Sequence, residues 1–201
     1  MIDAALLPLL RRALHPAARA LVARGVTADR VTLAGFGLGV LALPALWAGA
    51  FWLALGLILL NRLADGLDGE IARLTTPTDR GAFLDIAMDF LFYALVPLGF
   101  VLVDPSQNAV AGAVLIASFI GTGSSFLAFA VIAERRGLAS AAFPKKGIFY
   151  LGGLTEGFET IAVFVLMCLF PAAFPLLALA FATACFATTG LRWWQGWRVF
   201  S

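Results

Sequence analysis

Charge is the scarcest commodity in this chain. Only 13% of its 201 residues are Asp, Glu, Lys or Arg, while 62% are hydrophobic. A soluble domain carries about 25% charged residues, so a water-soluble globule is excluded. No polar low-complexity tract is present, which excludes a disordered chain. A net charge of +2 leaves no basic face for nucleic acid. The two cysteines, Cys168 and Cys185, sit in apolar stretches without CxxC spacing. They read as small core residues and leave the redox compartment open. No secretory signal is expected either, because the first arginines follow the first apolar stretch instead of preceding it.

What the chain has is long apolar runs. Six fall near residues 31–50, 52–73, 81–103, 109–133, 148–170 and 174–192. Each approaches the ~20 residues that a membrane-spanning helix needs. Residues 1–30 alternate Leu and Ala with Arg11, Arg12, Arg19 and Arg24, the pattern of an amphipathic helix lying on a membrane surface. The lone histidine, His15, precedes Pro16 and reads as a helix-boundary residue. The expected fold is all-α, one membrane domain over 1–201, with a surface helix in 1–30 and a six-helix core in 31–192.

All 14 basic residues except Arg62 fall in the termini, near the 74–80 turn or in the 134–147 loop, and the opposite face has only Asp104. The positive-inside rule puts both termini and those loops in the cytoplasm, as expected for a bacterial inner membrane protein. Trp193, Trp194 and Trp197, with Arg192 and Arg198, form one interfacial belt, and Trp47, Phe51 and Trp52 form the other. Small residues such as Gly99, Gly112, Gly121 and Gly123 permit close helix packing.

Acids inside the spans need a reason, since each costs about 2.5–3.5 kcal/mol at a helix centre. Asp65 and Asp68 share one face of the second span, and Asp85 and Asp89 share one face of the third. A short turn makes these helices antiparallel neighbours, so four carboxylates can converge. Hard oxygen ligands select Mg²⁺, Mn²⁺ or Ca²⁺ over soft metals, and two divalent ions close together can clamp a diphosphate. Gly69 and Gly81 allow close approach of a nucleotide, and Arg73 offers a guanidinium beside the cluster. Buried acids also suit a divalent-cation or proton-coupled transporter, which would spread them along a transmembrane route.

The string Asp65-Gly66-Leu67-Asp68-Gly69-Glu70-Ile71-Ala72-Arg73, followed by Gly81, Asp85 and Asp89, resembles the CDP-alcohol phosphotransferase signature D-x-x-D-G-x-x-A-R … G-x-x-x-D-x-x-x-D. Every specified residue type is present, and the motif spans 65–89. The gap between its halves holds seven residues, where eight is usual in the family. A fainter echo lies at Thr27 and Thr32, where many members carry T-P-N-x-x-T and only the threonines match here.

The resemblance implies transfer of a phosphoalcohol from a CDP-linked lipid donor to an alcohol or lipid acceptor, with release of CMP, in phospholipid synthesis. It implies that Asp65, Asp68, Asp85 and Asp89 hold two divalent cations. Asp68, Gly69, Ala72, Arg73 and Gly81 would line the CDP site. Asp89 would be the general base, and the enzyme would be a homodimer. The basic span-four motif that some relatives use for phosphorylated acceptors is replaced by the uncharged Ser125–Val131 stretch. Candidate acceptor contacts are therefore Arg135, Lys145 and Lys146 in the following loop, and Glu156 and Glu159 in span five. The two glutamates would favour a cationic or polyhydroxy acceptor.

Overall fold

A computed structural model describes residues 2–138 and 153–201, with side chains from Pro8 onward. Lys145 and Lys146 lie outside the described residues. The described chain is helical: α1 (Ile2–Ala23), α2 (Ala28–Trp47), α3 (Phe51–Leu74), α4 (Asp79–Val103), α5 (Pro105–Arg135), α6 (Gly157–Leu169) and α7 (Phe174–Phe200). A single 3₁₀ turn, Pro171–Ala173, joins the last two.

Local chemistry explains the boundaries. Gly49, at φ +71°, supplies the left-handed residue that lets α2 reverse into α3 within three residues. The Thr78 hydroxyl accepts the Gly81 amide hydrogen at 3.0 Å and starts α4. Asp104 does the same for α5, accepting from the Gln107 amide at 3.2 Å and from the Ser106 hydroxyl at 2.7 Å. Those bonds, the hydroxyl's foremost, hold the Asp104 carboxyl below its ordinary range. Pro105 at the first helical position completes the start, so the helix begins earlier than the expected 109. At the adjoining end of α4, the Asn108 side-chain amide donates to the Phe100 carbonyl at 2.7 Å, satisfying a group that lipid could not.

The helix α1 runs through His15-Pro16 instead of ending there. The carbonyl freed by Pro16 belongs to Arg12, an exposed residue where water can take the missing bond. This helix packs on α3. Among the described residues, four helical segments, α2, α4, α5 and the α7 region, are long and apolar enough to cross a membrane. At 24 residues α3 has the length, but its second half is charged. The described part of α6 has 13 residues, and the expected start of its span at 148 lies outside the described residues.

Around α4 the helices form two groups, with α2 and α3 on one side and α5 and α7 on the other. The half of the bundle away from the 75–78 turn is closed by aromatic packing. Phe51 stacks on Phe100 at 5.8 Å between centroids, and Phe100 on Phe174 at 4.7 Å. In lipid such contacts work by close packing and not by escape from water. The small residues serve the same end within the chain. A Cβ on Gly112 would meet Val101 at 2.2 Å, and one on Gly123 would meet Phe90 at 2.5 Å. The half nearer the turn holds the polar groups.

Candidate active site

The signature occupies the second half of α3, the turn, and the first half of α4. Its face-sharing spacing brings Asp65, Asp68 and Asp85 together, with one carboxylate oxygen from each lying within 4.8 Å of the others. Three such charges repel unless a cation or protons neutralise them, and an all-oxygen donor set fits a hard divalent ion. Asp89, one turn deeper on α4, lines the same small cavity but stands apart from the trio. Its Oδ1 accepts from Arg62 Nη2 at 2.7 Å.

The remaining signature residues surround this cluster. The Thr32 hydroxyl donates to Asp68 Oδ2 at 2.6 Å, fixing one oxygen of the most buried acid of the trio. This gives the faint threonine echo a defined partner. We expect Thr32→Val to weaken half-saturation by Mn²⁺ about 10–100-fold, the usual cost of removing a group that orients a metal ligand. A metal titration of activity would show it.

Gly69 faces the Arg73 guanidinium, which a Cβ there would approach to 3.5 Å. Arg73 is held at Nε and Nη2 by Glu70 Oε2, at 2.9 and 2.8 Å. The other Glu70 oxygen lies 2.8 Å from His15 Nδ1, so the surface helix reaches Arg73 through one carboxylate. Ala72 is half-buried beside them. Gly81 sits where a Cβ would come within 3.1 Å of both Asp29 Oδ1 and the Thr78 hydroxyl. Asp29 pairs with Arg80 and ties the start of α2 to the start of α4.

A second, larger cavity of about 280 Å³ opens beyond Asp89, bounded by Tyr93, Thr122, Phe126, Glu156 and Arg192 among others. Asp89 is the residue it shares with the acidic cavity. Arg192 was expected in the interfacial belt, yet it is buried. Its Nη1 donates to the Thr122 carbonyl at 2.9 Å, and its guanidinium lies 5.6 Å from the Phe126 ring centre. The tryptophans beside it are exposed, as a belt requires.

Glu156 and Glu159 form a capping box at the start of α6, each side chain accepting from the other's backbone amide. Glu156 also lines the second cavity, whereas Glu159 does not. Arg135 is exposed at the end of α5 and lines neither cavity. Arg62 and Arg192 had no assigned place in the site from sequence. Arg62 had one signal, being the single basic residue in the middle of a span.

A family model for CDP-alcohol phosphatidyltransferase matches residues 22–194. The chain is 54% identical over 197 residues to Inner membrane protein YnjF of Escherichia coli (strain K12), covering 98% of this chain and 96% of that protein. Among solved structures it resembles Mycobacterium tuberculosis phosphatidylinositol phosphate synthase (PgsA1) with CDP-DAG bound. That likeness has a TM-score of 0.75 at 23% identity and covers 92% of this chain and 94% of the other. The same enzyme in complex with manganese and citrate gives a TM-score of 0.73 at 24% identity, covering 92% and 88%.

Proposed function

The chain belongs to the CDP-alcohol phosphatidyltransferase family, and from that premise we propose that it transfers a phosphatidyl group from CDP-diacylglycerol to a small polyhydroxylated acceptor. The observation that carries this reading is the position of Asp89, on the wall common to the acidic cavity and the larger one. A donor diphosphate in the first and an acceptor hydroxyl in the second would meet at that carboxylate.

In this scheme Asp65, Asp68 and Asp85, with Asp89 beside them, hold two divalent ions, Mg²⁺ or Mn²⁺. The ions supply neutralisation of the diphosphate and of the charge that develops on the leaving phosphate. Arg73, Gly69, Ala72 and Gly81 form the CDP site, with Glu70 fixing the direction of the Arg73 guanidinium. Asp89 takes the proton from the acceptor hydroxyl. The acceptor oxygen attacks the phosphorus that carries the diacylglycerol, the bond from that phosphorus to the oxygen of CMP breaks, and CMP departs as the phosphate monoester. Positioning and charge stabilisation carry most of such a transfer. The manganese of one PgsA1 complex and the CDP-DAG of the other support the choice of ion and donor.

The acceptor follows from the second cavity. Glu156 and Arg192 both reach it, together with the threonine side of Thr122, Thr155 and Thr160. Opposite charges with several hydroxyls suit a small polyol better than a bare cation. Clustering of the acids at one end of the bundle, together with family membership, disfavours the transporter alternative. The basic loops support an active site facing the cytoplasm, and the name of the Escherichia coli relative supports an inner membrane location. A single membrane domain acting as a homodimer is proposed from the family resemblance.

The test is CMP release by detergent-purified protein given CDP-diacylglycerol, Mg²⁺ or Mn²⁺, and acceptors running from inositol and glycerol to their phosphates, serine and choline. Turnover with choline or serine alone would overturn the polyol reading. The Arg192→Gln variant sorts the polyols. If the acceptor carries a phosphate, we expect its KM to rise about tenfold or more, since a charged hydrogen bond contributes roughly 1.5–3 kcal/mol. The unphosphorylated alcohol should be little affected.

A further inference from the structure

Arg62 lies mid-way along α3, roughly 17 Å of helix from either end. An arginine midway along a largely apolar helix is costly to bury, so its retention calls for a partner and a role. The signature does not include it, since it falls one helical turn before Asp65.

The structure gives it a cage. Nε donates to Asn61 Oδ1 at 2.8 Å, Nη1 to the Tyr93 hydroxyl at 3.3 Å and Nη2 to Asp89 Oδ1 at 2.7 Å. The guanidinium carbon lies 4.6 Å from the centre of the Phe92 ring and 5.4 Å from that of Tyr93. Asn61 is itself pinned, donating to the Gly35 carbonyl of α2 at 2.9 Å. Even the opposing helix yields space, because a Cβ on Gly39 would come 2.7 Å from Phe92 and 3.0 Å from the Asn61 amide nitrogen. Three helices therefore hold one planar fork in one orientation. Asp65 is a weaker companion at 3.7 Å.

The fork is aimed at the carboxylate that stands between the two cavities. An aspartate side chain has two torsions to fix, and a productive proton transfer needs one oxygen directed at the acceptor hydroxyl. We propose that Arg62 is a positioning residue that clamps Asp89 Oδ1 and so directs the other carboxylate oxygen toward the acceptor cavity. The role rests on the transfer reaction proposed above. It differs from plain neutralisation of the acidic cluster, which any cation at this depth would achieve. Lysine keeps the charge but cannot hold Asn61, Tyr93 and Asp89 at once in a plane.

The experiment compares Arg62→Gln, Arg62→Lys, Asp89→Asn and the Arg62→Gln/Asp89→Asn double variant of the full chain, in CMP release with CDP-diacylglycerol and the acceptor that wild type uses. CDP binding serves as the check on folding. We expect both Arg62 variants to lose about 10²-fold in kcat, the cost of a misplaced reacting group. Donor KM and Mn²⁺ half-saturation should stay within about twofold. In the Asp89→Asn background, Arg62→Gln should change the residual rate by less than about twofold, because the residue acts through Asp89.

Wild-type turnover in Arg62→Lys would reduce the residue to charge neutralisation and overturn the proposal. So would a rise in donor KM with kcat preserved, or a loss that multiplies in the double variant. If Arg62→Gln fails to bind CDP, Arg62→Lys decides, and loss of CDP binding in both makes Arg62 structural and also overturns the proposal. Silence of wild type with every acceptor would bring down the functional reading and this inference with it, whereas active wild type with unaffected Arg62 variants would bring down the inference alone.

Discussion

Asp89→Asn is expected to slow CMP release by about 10²–10⁴-fold, the range that a positioned general base contributes. The asparagine keeps the shape of the side chain and can still accept the Arg62 hydrogen bond through its carbonyl oxygen, so the wall between the cavities should survive. What it loses is the ability to take a proton, together with the negative charge it would offer a metal ion. Donor KM should change little, because the residues proposed for CDP lie toward the 75–78 turn, away from Asp89. Steady-state kinetics with the donor and acceptor varied in turn would separate the effects. A raised KM at unchanged kcat would assign Asp89 to binding instead.

The second large effect concerns the acidic trio. Asp65, Asp68 and Asp85 hold their oxygens within 4.8 Å of one another, and Asp68 is buried. Removing divalent ions with a chelator should abolish turnover, and Mn²⁺ or Mg²⁺ should restore it. The same ions should raise the thermal midpoint of the purified protein, since a ligand at 100 times its Kd stabilises by about 2.7 kcal/mol. Asp68→Asn should erase that rise together with activity, because it removes one of three charges and disturbs the Thr32 contact. A midpoint that ignores both ions in wild type would argue against a metal centre at this cluster. The thermal readout needs no substrate, so it stands apart from the choice of acceptor.

The parts of this molecule that were legible in sequence are those whose chemistry is local. Asp65 with Asp68, and Asp85 with Asp89, declare a face by their spacing alone. The α3–α4 turn sets those faces opposite one another, although the two helices pack chiefly on α2 and not, as expected, on each other as direct neighbours. Thr78 and Asp104, which cap α4 and α5, were not read as helix starts, and α5 begins earlier than expected. Contacts between distant segments were not legible. Thr32 meets Asp68 across 36 residues, and Arg62 meets Asp89 across 27. No periodicity in either helix points to those partners.

Arg192 misled for another reason. Three tryptophans follow it closely, which looks like the end of a span, but α7 continues to Phe200 and leaves Arg192 two turns inside. Glu159 has a local partner. Its place one turn after Glu156 looks like a pair facing a ligand, whereas the two glutamates satisfy the exposed amides at the start of α6. The Arg192 guanidinium that lines the cavity with Glu156 comes from the neighbouring helix α7, from a position far along the chain.

The stacked rings of Phe51, Phe100 and Phe174 have a consequence beyond stability. They fill the end of the bundle opposite the 75–78 turn, away from the acidic cluster. On the proposed reaction, nucleotide and alcohol would reach the acids from the turn end, and the lipid product would stay in the leaflet in which its donor arrived. Synthesis of this kind adds area to one leaflet only. A growing membrane that relied on it would need a separate route to carry lipid across.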